Sequence, residues 1–79
     1  MLKNKESLPE ILFLTINGKQ YKIKGPKKIS IYHLLVFLGY KLTLIAVEYN
    51  GKIVSRTKWK SIFLKNNTSL EIVTIVGGG

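Results

Sequence analysis

Three consecutive glycines, Gly77, Gly78 and Gly79, follow a run of β-branched residues at the end of the 79-residue sequence. They are the residues best placed to do chemistry. Without side chains they form a slender, flexible thread that reaches backbone angles closed to other residues, narrow enough to enter a channel in a partner enzyme. A C-terminal carboxylate on Gly79 is ionised at neutral pH and can attack the α-phosphate of ATP to give an acyl-adenylate. A sulfur nucleophile, either a protein persulfide or sulfide, can then displace AMP and leave a terminal thiocarboxylate. Covalent activation of this kind divides one difficult transfer into easier steps. Taken alone, three glycines read equally well as an unstructured end, so the rest of the chain has to decide.

Little else in the sequence supports catalysis. Four glutamates, no aspartate, no cysteine and one histidine do not assemble a metal site, a nucleophile triad or an acid/base pair. The expectation is a protein that is not itself an enzyme, with no metal and no bound cofactor, any ATP being consumed by a partner. His33, alone on a helix, has no second ligand in sight. The formal net charge of +9 raises a nucleic-acid reading. However, the lysines are scattered from Lys3 to Lys65, as on a solvated face. Tyr21, Tyr32, Tyr40 and Tyr49 lack the spacing of an RNA-recognition signature. A small basic RNA-binding module is therefore the distant alternative.

No apolar run approaches the roughly 18 to 20 residues that span a bilayer; residues 29–40 come nearest, interrupted by Ser30, His33 and Gly39. Residues 1–10 are polar and of mixed charge, unlike a secretory signal. A usage rich in Lys, Ile and Asn, with one Ala and one Arg, is common in chains encoded by AT-rich DNA. The expected location is the cytoplasm or a plastid stroma, without secretion or membrane anchoring.

The elements that would position the tail are legible in order. Ile11, Leu12, Phe13, Leu14, Thr15 and Ile16 read as a strand, Asn17-Gly18 as a hairpin turn, and residues 20–24 as the returning strand. In that strand Tyr21 and Ile23 face one way, Lys22 and Lys24 the other. Gly25-Pro26 ends it. Ser30 is suited to cap a helix that stops at Gly39, with Ile31, Leu34, Leu35 and Leu38 on an apolar stripe that Val36 and Phe37 widen. A strand from Thr43 to Tyr49 leads through Asn50-Gly51 to a short return at Ile53-Val54. Residues 56–64 read as a short helical turn or an extended crossing, residues 66–69 as a turn, and residues 70–76 as the last strand. The organisation expected is a leader at 1–10, one domain at 11–76 and the tail at 77–79.

The first two strands must be antiparallel because a tight turn joins them. The solution is an α+β fold, a mixed sheet of four to five strands packed on one helix. With the last strand central and parallel to the first, it is a ubiquitin-like β-grasp.

Two segments carry a resemblance. Residues 47–59, through Asn50-Gly51, Ile53-Val54, Arg56 and Trp59, together with residues 71–79 ending on Gly77-Gly78-Gly79, resemble the thiamine-biosynthesis sulfur-carrier family, which is ubiquitin-like. Residues 30–35 resemble that family's helix start, so the likeness covers nearly everything from Ile11 onward. It implies that Gly79 is adenylated and thiocarboxylated, that Gly78 is the other half of the essential pair, and that Gly77 extends the thread. It further implies two partners, an E1-like adenylyltransferase and thiazole synthase; the chemistry of the tail adds a sulfur donor, expected to be a persulfide enzyme. The molybdopterin-synthase small subunit and other ubiquitin-like carriers or modifiers share the tail, and the block from Arg56 to Trp59 favours thiamine.

Four further residues are candidate partner contacts. Val73 and Ile75 fall on the face of the last strand opposite Leu70, Ile72 and Thr74, where a partner groove could seat them. Arg56 either fixes the loop after Val54, by bonding to carbonyls or to Glu48, or meets a partner. Trp59 reads first as a partly buried core aromatic and second as a partner contact.

Overall fold

The computed structural model describes residues 10–25 and 28–75. The first strand, β1 (Glu10–Ile16), turns through Asn17 and Gly18 into β2 (Lys19–Gly25). Both turn residues have positive φ, 51° and 82°, the type I′ geometry that matches strand twist and that Asn-Gly tolerates. The helix α1 (Ile31–Leu38) follows, then β3 (Ile45–Tyr49), a second Asn-Gly turn, the two-residue β4 (Lys52–Ile53) and β5 (Thr68–Thr74).

The five strands form one mixed sheet in the order β2-β1-β5-β3-β4. Strand β5 pairs parallel to β1 and antiparallel to β3, so the last strand is central. This is the β-grasp.

Alternation along the strands puts Leu12, Leu14 and Ile16 of β1, Ile45 and Val47 of β3, and Leu70 and Ile72 of β5 on the helix side of the sheet. All are buried. Ile31, Leu34 and Leu35 of α1 close over them. Ser30 caps α1, its Oγ accepting from the His33 N–H at 3.1 Å, and Gly39 ends it at φ 86°.

Between β4 and β5 the chain crosses back as a 3₁₀ turn, Arg56–Lys58, followed by an extended segment tied to the start of α1. Its bonds are Tyr32 N–H to Trp59 C=O, Ile31 N–H to Ile62 C=O, and Leu64 N–H to Ile29 C=O at 2.8 Å.

Four expectations are corrected. Val36 and Phe37 do not widen the apolar stripe: they are 51% and 77% exposed, because about 100° of rotation per residue carries them round the helix away from the sheet. Leu38 is itself partly exposed. The strand expected from Thr43 begins at Ile45, and a 3₁₀ turn, Leu42–Leu44, precedes it. The last strand begins at Thr68 rather than Leu70. There Thr68 is buried, its hydroxyl donating to the Lys65 C=O at 2.7 Å and accepting from the Lys65 N–H. Residues 1–9, Pro26 and Val76 lie outside the described residues, so the leader and the strand's expected end are not placed.

Candidate functional site

The strand that precedes the tail is the central one of the sheet, with neighbours on both sides. Its pairing persists to the end of the described chain: Thr74 lies opposite Ile45, and the Ile75 N–H donates to the Leu44 C=O at 2.7 Å. Gly77, Gly78 and Gly79 lie outside the described residues. What is fixed is the point from which they start, beside the Leu42–Leu44 turn.

Alternation sends Val73 and Ile75 to the face of the sheet that α1 leaves open, where they are 53% and 48% exposed. Ala46 lies opposite Val73, and Ile53, 75% exposed, projects from β4 on the same face. Together these side chains make an exposed apolar surface immediately before the tail. Beside it Glu48 and Glu71 face each other across β3 and β5. Like charges directly opposite weaken a sheet, and the chain has only four acidic residues in all.

Three asparagines add side-chain bonds along β5 and its approach. The Asn17 side chain accepts from the Ile72 N–H at 2.7 Å and donates to the Ile72 C=O at 3.1 Å, acting as one more rung of the parallel ladder after β1 has turned away. Asn50 Oδ1 accepts from the Ser69 N–H at 2.9 Å, and Asn66 Oδ1 from the Phe13 N–H at 2.7 Å. Sequence reasoning took all three as turn formers. The positive φ of Asn17 and Asn50 (51° and 49°) supports that, but their amides also bond strand β5 from outside the strand pairing. A bare turn signal does not reveal this, because the partner is named only by the topology.

Trp59 is 2% exposed within the core, and its indole N–H donates to the Val54 C=O at 3.2 Å. It is a core aromatic, and the expectation of a direct partner contact is corrected: no part of so buried a ring is left to offer. Arg56 is exposed at the start of the 3₁₀ turn, and the structure gives its guanidinium no partner among the described residues. The hydrogen bonds expected to carbonyls or to Glu48 are absent there. Among the described residues no group of three or more His, Cys, Asp or Glu side chains comes together, and no helix is long and apolar enough to cross a membrane.

A β-grasp with a central last strand leading to glycines, and an apolar patch at its exit, defines the ubiquitin-like carrier class. The chain belongs to the ThiS family, whose model matches residues 14–79. It is 39% identical over 64 residues to the ycf40 protein of Trieres chinensis, covering 81% of this chain and 85% of that one. The ycf40 protein of Pyropia yezoensis is 36% identical over 66 residues, covering 84% and 90%. Among solved structures, the crystal structure of the thiamine biosynthesis protein ThiS from Geobacter metallireducens superposes with a TM-score of 0.76 at 28% identity. That match covers 86% of this chain and all of that one.

Proposed function

We propose that the protein is the sulfur carrier of thiazole formation in thiamine biosynthesis, a co-substrate rather than a catalyst. The Gly79 carboxylate attacks the α-phosphorus of ATP on an E1-like adenylyltransferase, pyrophosphate leaves, and an acyl-adenylate forms. The terminal sulfur of a donor enzyme's persulfide attacks the acyl carbon and AMP departs, leaving an acyl disulfide. A second thiol of the donor attacks the S–S bond, is oxidised to the enzyme disulfide, and releases the thiocarboxylate. Thiazole synthase receives the sulfur. Gly78 and Gly77 thread the channel of each partner.

The observation that carries this reading is the family match running through Gly79. It is supported by the placement of β5 as a central strand, which holds the tail's origin rigid. Val73 and Ile75 form the docking contact, and the exposed Arg56 is a further partner contact. Binding energy at these residues positions the glycine thread without touching the reacting atoms, which lowers the entropic part of the barrier. The matches to ycf40 proteins of algae and the Lys-, Ile- and Asn-rich composition support a plastid stroma as the place of work.

ATP–pyrophosphate exchange by the cognate adenylyltransferase tests the first step. The wild-type chain should stimulate exchange, and a chain lacking Gly79 should not. Equal exchange with and without Gly79 would overturn the assignment of the acyl group.

A further inference from the structure

Strand β2 is an edge strand with its backbone turned outward. Phe13 lies opposite Lys22, yet its N–H is taken by Asn66 Oδ1 and its C=O accepts from the Asn67 N–H, each at 2.7 Å on the β5 side. Phe13 and Lys22 are therefore a non-hydrogen-bonded pair of the antiparallel ladder, and the N–H and C=O of Lys22 point away from the sheet. The same alternation turns the backbone groups of Gln20 and Lys24 outward. Among the described residues, three successive rows are open to another strand.

Beside this edge, between β2 and α1, lies a cavity of about 310 Å³ floored by Ile23, Ile29, Leu34 and Phe37 and rimmed by Lys24 and Lys28. Phe37 is the most exposed large apolar side chain among the described residues, at 77%. Lysines along an edge oppose pairing with a second copy, which would set Lys22 and Lys24 against another basic edge. The same lysines favour an acidic visitor. A nucleic acid would use the cations but neither the apolar groove nor the open backbone groups.

We infer that the β2 edge is a docking strip for an extended peptide segment of another protein, apolar residues followed by acidic ones, which adds to the sheet as a further strand beside β2. Main-chain bonds to Gln20, Lys22 and Lys24 supply affinity, and alternate side chains enter the groove. The acidic residues meet Lys24 and Lys28. Because β1 and β5 are parallel, the Gly25 end of β2, beside Glu10, lies at the end of the sheet away from Thr74. A protein held here leaves the tail free for a second enzyme, so the carrier could be tethered to one partner while another acts on it.

The test is a titration of the full-length isotope-labelled chain with a synthetic peptide of Val and Ile residues followed by Asp and Glu residues, read by amide NMR shifts. Saturable shifts at residues 20–25 and around Phe37 are expected, with micromolar affinity. The double variant K24E/K28E and the variant Phe37→Ser should each weaken binding by about tenfold or more. Lys22→Pro removes one outward N–H without removing a ladder bond and should abolish the shifts. If that variant does not fold, the first two decide. The inference is overturned by the absence of saturable shifts at millimolar peptide or by shifts centred on Val73 and Ile75. It is overturned equally by unchanged affinity in both K24E/K28E and Phe37→Ser, or by tighter binding at this edge of single-stranded RNA or anionic vesicles.

Discussion

Asn17 does two jobs that separate on substitution. Its φ of 51° favours Asn or Gly, and its amide makes two bonds to the Ile72 backbone. Asn17→Gly keeps the turn and removes the bonds, and should cost about 1–3 kcal/mol for the backbone groups left unpaired; Asn17→Ala adds the strain of positive φ and should cost more. Chemical denaturation of the two variants checks the order: equal losses would show that the positive φ contributes nothing, and no loss in Asn17→Gly would show that the bonds contribute nothing. Glu71 bears on stability with the opposite sign: removing one charge from the Glu48–Glu71 pair with Glu71→Gln should raise stability by roughly 0.2–1 kcal/mol. The residue types and turns were readable beforehand. The second role of the asparagines was not, because a side chain that bonds a strand 55 positions away leaves no local pattern.

At the level of elements, the two Asn-Gly hairpins and the capped helix follow from local chemistry, since Ser30, Gly39 and the positive-φ turn residues act within a few positions of themselves. The helix faces were read less well. Val36 and Phe37 are apolar, but a helix of eight residues lying on a sheet buries one side only. The 3₁₀ turn at Leu42–Leu44 was hidden because Leu, Thr and Leu suit a strand as well as a tight turn. Strand β5 makes the sharpest prediction of this kind, since its two faces do different things. Val73→Asp and Ile75→Asp lie on the open face and should shift stability by less than about 1 kcal/mol while reducing ATP–pyrophosphate exchange. Ile72→Asp, one position away on the buried face, should prevent folding because it buries an unpaired charge. Thermal melts alongside exchange assays separate the cases, and loss of folding in Val73→Asp would mark that residue as core.

For the whole molecule, a small domain without disulfides rests on one apolar core, and Trp59 is a large share of it. Trp59→Ala should cost about 3–5 kcal/mol, a severe fraction of the roughly 5–15 kcal/mol typical of a folded domain, measurable as a collapse of the denaturation midpoint. Under the proposed function, the net charge of +9 calls for an enzyme partner with an acidic surface. Long-range attraction of that kind is screened within about 8 Å at physiological ionic strength, so added salt should lower kcat/KM for adenylation several-fold while leaving kcat nearly unchanged. The β-grasp was a reading of element order, conditional on the last strand lying centrally beside the first, and the sheet places it there. Arg56 and Trp59 were legible as a pair by resemblance, but only three dimensions divide them into an exposed cation and a buried ring. The glycine thread was the plainest signal in the sequence, and the proposed function makes it the site of the chemistry. The most direct test of that claim is the intact mass of the chain after incubation with ATP, the cognate adenylyltransferase and a persulfide donor, beside a chain lacking Gly79. The account predicts a gain of about 16 Da, one oxygen replaced by sulfur through the activated acyl group, on the full chain alone. No gain with a partner shown to be active, or an equal gain on the truncated chain, would contradict it.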